Sequence, residues 1–192
     1  MEQIRAFIAI ELPEEIKSAL GQLQAELKKT SPPPVKWVDP EAIHLTLKFL
    51  GNIATEKVDK ITKVIEEAAE GISPFHLEVK GLGTFPNLRK VRVIWVGVEG
   101  ELAPLSQLQR RIESKLAPLG FAPEGRPFTP HLTLGRVREQ ASSAEQQRLG
   151  QLIASTRFEG NHRFEVSWVS LMRSQLTREG AIYHRLSAIR LK

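Results

Sequence analysis

Cysteine is missing from all 192 residues. A disulfide framework, a thiolate nucleophile and a cysteine-ligated zinc are excluded at once, and the chain suits a reducing compartment. No apolar run approaches the roughly 18 residues of a membrane span. The N-terminal MEQIRAFIAIELPEEI meets Glu11, Glu14 and Glu15 after a short apolar stretch and has no small-residue cleavage site, so it does not read as a signal peptide. The expected location is therefore the cytoplasm, with no membrane partner. Low-complexity segments, long linkers and runs of one charge are also missing, which argues for a single domain over residues 1–192.

What is present is ordinary in amount: 41% hydrophobic and 26% charged residues, as in globular proteins. Twenty-seven basic residues against 22 acidic ones give a net charge of +5. That mild excess fits an anionic partner without specifying one.

The unusual feature is a repetition. HLTLKF at 44–49 and HLTLGR at 131–136 begin with the same four letters, 87 residues apart (44 to 131), about half the chain. Two similar units in tandem explain the spacing better than chance does.

The flanking pattern repeats as well. RAFIAIEL (5–12) reads as a buried strand, and PEEIKSALGQLQAELKKT as a helix opened by Pro13 and two acids. SPPP (31–34) breaks the chain before a short extended VKWV. HLTLKFLGNI alternates with period two, and TEKVDKITKVIEEAAEG places Val58, Ile61, Val64 and Ile65 on one helix face. FHLEVKGLGTF and VRVIWVGVEG read as strands. In the second half ELAPLSQLQRRIESKLAPLG is a helix, RPFTPHLTLGRVRE a loop and strand, and SAEQQRLGQLIAST a helix. HRFEVSWVSLMRS and AIYHRLSAIRL then close the chain as two strands around LTREG. The expected architecture is α+β and bilobal: two pseudo-symmetric lobes of largely antiparallel sheet, with outer helices around a central cleft.

Strand alternation separates each motif into two faces. His44 and Thr46 point one way and Leu45 and Leu47 the other; His131 and Thr133 part from Leu132 and Leu134 likewise. The leucines enter the core. If the lobes are related by an approximate two-fold axis, both His-Thr pairs face one cleft, with two imidazoles on opposite sides of a bound group. A phosphodiester suits that arrangement, because in-line displacement needs a base on the entering oxygen and an acid on the leaving one. Threonine hydroxyls can donate to the non-bridging oxygens. Packing alone would repeat the leucines but gives no reason to repeat His and Thr. The spacing leaves open which histidine is acid and which base.

A metal site is disfavoured, since neither motif offers a second close ligand and no H-E-x-x-H occurs. No cofactor is expected. His76, His162 and His184 lack a threonine two residues on and read as structural or surface groups, with His184 near the cleft rim. Trp37, Trp95 and Trp168 sit in apolar strand patterns and read as core.

These residues resemble the two-histidine phosphoesterase superfamily, and within it the LigT-like RNA 2′,3′-cyclic phosphodiesterases, also called 2′-5′ RNA ligases. The likeness runs through RAFIAIELP, AIHLTLKFLG, GTFPNLRKVRVIWVGV, RPFTPHLTLGR and SQLTREGAIYHRL. The resemblance implies hydrolysis of a terminal 2′,3′-cyclic phosphate to a 2′-phosphomonoester. It implies His44 as proton donor to the leaving 3′-oxygen, His131 as proton acceptor from water, and Thr46 and Thr133 as phosphate contacts. Arg136 matches a basic residue of the family, although alternation would put it on the leucine face unless a bulge or the strand end redirects it. Lys48 falls, by alternation, beside His44 and Thr46, where it binds phosphate or lowers a histidine pKa. Arg89, Lys90, Arg92, Arg126 and Arg138 are candidates to line an RNA path, and Phe85 or Tyr183 to stack a base; the alternative is solvated loop charge and core aromatics. The implied partner is RNA with a cyclic phosphate end, such as tRNA fragments, or small cyclic nucleotides, met by a monomer. Ligation through a 5′-hydroxyl in place of water is a possible side activity, and a non-catalytic RNA-binding module is the alternative outside enzymes.

Overall fold

The computed structural model describes residues 2–30 and 34–192; of the expected SPPP break only Pro34 lies within them. The elements run β1 (Gln3–Glu11), α1 (Glu14–Thr30), β2 (Val35–Trp37), β3 (His44–Ala54), α2 (Val58–Ala69), β4 (Phe75–Pro86), β5 (Val91–Gly100), α3 (Leu102–Leu116), β6 (His131–Val137), α4 (Ser143–Ser155), β7 (Arg163–Val166), β8 (Trp168–Thr177) and β9 (Gly180–Arg190). Local chemistry accounts for the helix ends. Glu14 and Glu15 open α1 and Lys28 and Lys29 close it, each sign matched to the helix dipole. Ser142 and Glu145 form a reciprocal capping box that starts α4.

Two antiparallel sheets result, one ordered β3-β1-β8-β9 and the other β2-β6-β5-β4-β7. Each holds one motif strand, and β3 and β6 touch where the sheets meet. The expected bilobal α+β fold is present. Its wiring differs from a plain tandem in two ways.

The segment 162–174, expected as one strand, is two: β7 pairs with β4 in the second sheet, and β8 pairs with β1 and β9 in the first. The chain changes sheet at Ser167, whose carbonyl accepts from the Leu191 amide. Strand pattern alone cannot reveal this crossing, because alternation continues on both sides of it.

The helices are also exchanged. The α2 and α3 helices pack together and reach β9 and β3 of the first sheet, while α4 lies on β4 and β5 of the second. Helix α1, although it follows a strand of the first sheet, sends the Gln24 amide to the carbonyls of Val38 and Leu134 in the second, at 2.7 and 3.0 Å. One continuous apolar core therefore joins the lobes, with Leu45, Leu47, Leu132 and Leu134 all buried in it. Full burial of such side chains contributes roughly 1.5–3 kcal/mol each, enough to hold the motif strands' inner faces fixed.

The tryptophans part company. Trp37 is partly buried against the core as expected. Trp168 is 49% exposed with the Arg190 guanidinium over its ring, and Trp95 is half-buried and lies outside the core cluster. Both belong to alternating strands, on which a large apolar residue can face outward when a neighbour covers it.

Candidate active site

Both motifs carry the same irregularity. In the first, Ile8 pairs with Lys48 and Ala9 with Thr46, leaving Leu47 as an extra residue. In the second, Ile94 pairs with Gly135 and Trp95 with Thr133, leaving Leu134 extra. Such a bulge shifts the alternation by one position. His44, Thr46, His131 and Thr133 precede it and stay half-buried on the faces away from the leucines. Beyond it, Lys48 and Gly135 turn to the core side, and Phe49 and Arg136 emerge instead.

This redirects Arg136 as its position required, and it corrects Lys48. That side chain lies under the sheet, 2% exposed, with Nζ donating to Glu113 Oε1 at 2.9 Å and to the Ala122 carbonyl at 3.0 Å. It does not stand beside His44. Phe49, 62% exposed, holds the position alternation had given to lysine.

The histidines are tethered alike. His44 Nδ1 lies 2.9 Å from the Ala42 carbonyl and His131 Nδ1 2.7 Å from that of Thr129, each two residues back. A carbonyl only accepts, so Nδ1 carries the hydrogen in both, and the neutral ring keeps its lone pair on Nε2. Aromatic rings fix each orientation. Phe7 stacks on His44 at 4.6 Å and Tyr183 meets it edge-on at 5.1 Å, while Phe85 meets His131 edge-on at 5.1 Å and leans on Trp95. The Trp95 ring lies against Gly83, where an added Cβ would come within 2.2 Å of it. Only glycine allows that ring to lie flat across the strand.

The charges around the two rings differ. Glu11 pairs with His44 across the β1–β3 ladder, and its Oε2 accepts from Ser170 Oγ at 2.7 Å and Arg185 Nε at 2.8 Å. Burial works against ionisation of Glu11, but those hydrogen bonds and the nearby cations outweigh it and hold the carboxyl below its ordinary range. Burial pushes the His44 imidazole down, opposed by the Ala42 bond and the Glu11 charge. Burial raises the Tyr183 phenol, opposed by Arg136 and Arg5. Arg136, on the second sheet, is thus close enough to Tyr183 of the first for its charge to oppose that rise.

The remaining candidates are scattered. Arg92 and Arg136 line an open hollow of about 450 Å³ with Val93, Val137 and Glu139. Arg89, Lys90, Arg126 and Arg138 are exposed. His76 lies 3.7 Å from both Glu101 and Glu165, His162 stacks on Phe158, and His184 is exposed beside Gln175. Among the described residues no group of three or more His, Asp or Glu is placed to hold a metal ion. No described helix is long and apolar enough to cross a membrane.

A model of the LigT-like phosphoesterases matches the chain twice, over residues 10–95 and again over 96–183. The chain belongs to that family. Each half of this LigT-like protein thus matches the same pattern, as the repeated motif implies. Its relatives include the RNA 2′,3′-cyclic phosphodiesterases of Methanothermobacter thermautotrophicus, 38% identical over 98% of this chain and 100% of that one, and of Methanocaldococcus jannaschii, 34% identical over 94% and 96%. The crystal structure of Escherichia coli LigT complexed with 3′-AMP superposes with a TM-score of 0.80 at 28% identity, covering 100% of this chain and 99% of that one.

Sequence reasoning missed Glu11, Phe7, Phe49 and Gln24. One usable sign of the last was QLQ at 22–24, which recurs at 107–109 in α3.

Proposed function

We propose that this protein is an RNA 2′,3′-cyclic phosphodiesterase that opens the cyclic phosphate to a 2′-phosphomonoester by metal-independent acid-base catalysis. The observation that carries the reading is the duplicated tether: two imidazoles, each held through Nδ1 by a carbonyl two residues back, which leaves each Nε2 free for proton transfer. His131 Nε2 takes a proton from water as its oxygen bonds to phosphorus. The bond from phosphorus to the 3′-oxygen breaks, and protonated His44 gives its Nε2 proton to that oxygen. The histidines finish with exchanged protonation states and recover through solvent. Thr46 and Thr133 donate to the non-bridging oxygens, and the Arg136 guanidinium offsets their charge. Each proton transfer contributes roughly 10²–10⁴-fold, enough without a Lewis acid for a strained five-membered ester.

The substrates are RNA ends, tRNA fragments among them, and small cyclic nucleotides, met by a cytoplasmic monomer. A 5′-hydroxyl in place of water gives a 2′-5′ linkage as a minor reaction, outcompeted by water's concentration. Incubation with a nucleoside 2′,3′-cyclic phosphate in excess chelator should yield the 2′-phosphomonoester at an undiminished rate. A 3′-phosphate product, or activity lost to chelator and restored by zinc or magnesium, overturns the scheme. Thr46→Val and Thr133→Val should each lower kcat on the order of 10²-fold, measured on the same substrate.

A further inference from the structure

The two histidines occupy matching places in matching motifs, yet the proposed reaction needs one to give a proton and the other to take one. Tether, half-burial and an edge-on aromatic ring are common to both. The difference lies on the neighbouring strand. Across from His44 on β1 stands Glu11; across from His131 on β5, at the same step of the ladder, stands Gly97. The equivalence holds along both ladders, for Ala9 faces Thr46 as Trp95 faces Thr133, and Phe7 faces Phe49 as Val93 faces Arg136.

The second place cannot take a carboxylate. A Cβ on Gly97 would stand 2.7 Å from the Lys80 carbonyl oxygen, a backbone atom with no side chain to swing aside. The first place holds its carboxylate firmly, with Ser170 and Arg185 both donating to Oε2.

We propose that Glu11 breaks the symmetry of the two histidines: its fixed negative charge favours the proton on His44 against the cost of burying it, and the glycine opposite His131 leaves that ring without such an anion. Glu11 is a positioning residue in this scheme, acting through His44 and not touching the reacting atoms. The assignment rests on the acid-base reading above and gives it a direction that the repeated motif alone does not contain.

Other charged and titratable groups around His44 do not replace it. Arg185 and Tyr183 approach from β9, Arg5 lies further along β1, Arg136 is on the opposite sheet, and Glu41 is exposed on the turn at Pro40–Ala42. Lys48, on the same strand, is sealed beneath the sheet with Glu113. Glu11 is the one anion among them paired directly with the ring's residue across the ladder. Because burial disfavours the imidazolium, loss of this anion should be felt directly in how long His44 keeps its proton as pH rises.

The test uses Glu11→Gln, which keeps the shape and an acceptor oxygen, and Arg185→Gln, which removes the opposing cation. Removing an anion beside an imidazolium lowers its pKa. In Glu11→Gln the alkaline limb of kcat/KM should therefore move to lower pH, with a loss of about tenfold above the limb for each unit of movement and a rate near wild type below it. Arg185→Gln should move the limb the other way. Site-resolved NMR titration should show the His44 resonance shifting in both variants, in opposite directions, while that of His131 stays in place. A loss equal at every pH, shifts of the same sign, or an unmoved His44 resonance overturns the proposal.

The underlying reading fails separately. A cyclic nucleotide with sulfur as the bridging 3′-atom needs no proton on its leaving group. It should restore turnover to His44→Ala and not to His131→Ala; restoration of neither removes the acid-base scheme, and restoration of His131→Ala alone reverses the direction and removes the role of Glu11.

Discussion

Replacing His44 or His131 with alanine should lower kcat toward a nucleoside 2′,3′-cyclic phosphate by about 10²–10⁴-fold, the usual worth of a positioned proton-transfer group. The fold should survive, because both rings are half-buried on the strand faces away from the core while the leucines beside them fill it. Circular dichroism and the unfolding midpoint check that point independently of activity. The double variant should be little slower than either single one, since an acid and a base serving one transition state act as a unit. His76→Ala supplies the contrast: it removes a histidine placed between Glu101 and Glu165, away from the motifs, and should leave the rate unchanged. Near wild-type turnover in either motif variant would show that the two rings do not share a reacting phosphate.

Lys48→Met should unfold more readily by up to about 3 kcal/mol, because it strands the largely covered Glu113 carboxylate, 13% exposed, without its cation. Glu113 Oε2 would keep only the Glu124 amide, at 3.2 Å. The same change tests the corrected position of Lys48. A phosphate-binding lysine would raise KM and leave stability alone; a lysine sealed between β3, α3 and the loop before β6 should lower the midpoint in denaturant with little effect on KM in the folded fraction. Combining Lys48→Met with Glu113→Leu should recover most of the loss, as apolar replacements of a buried ion pair commonly do. Equal stability of Lys48→Met and wild type would mean that the ion pair contributes nothing to the fold.

The repeated HLTL, its separation and its polar and apolar faces are written in the chain and were sufficient for the chemistry proposed at His44, Thr46, His131 and Thr133. Short-range rules suffice for these, since strand alternation and helix periodicity depend on residues only a few positions apart. The helix ends at Glu14 and Ser142 follow from the same local rules.

Where the sequence reading went astray, the deciding contacts were distant along the chain. One extra residue at Leu47 sent Lys48 inward and Phe49 outward, and one at Leu134 turned Arg136 outward as its position required; a bulge is a property of a strand and its partner together, so the strand's own letters do not mark it. The crossing at Ser167 and the exchange of α1 and α3 between sheets likewise depend on which surfaces meet. Glu11 shows the difference most clearly. In sequence it is one of several acids near the N-terminus, 33 positions before His44 (11 to 44). Only the β1–β3 register sets it beside that ring, and only the close Lys80 carbonyl forbids a counterpart at Gly97. The sequence by itself determined two like His-Thr pairs; tertiary structure decided what makes them unlike, because the field at an imidazole comes from groups near in space, whatever their distance along the chain.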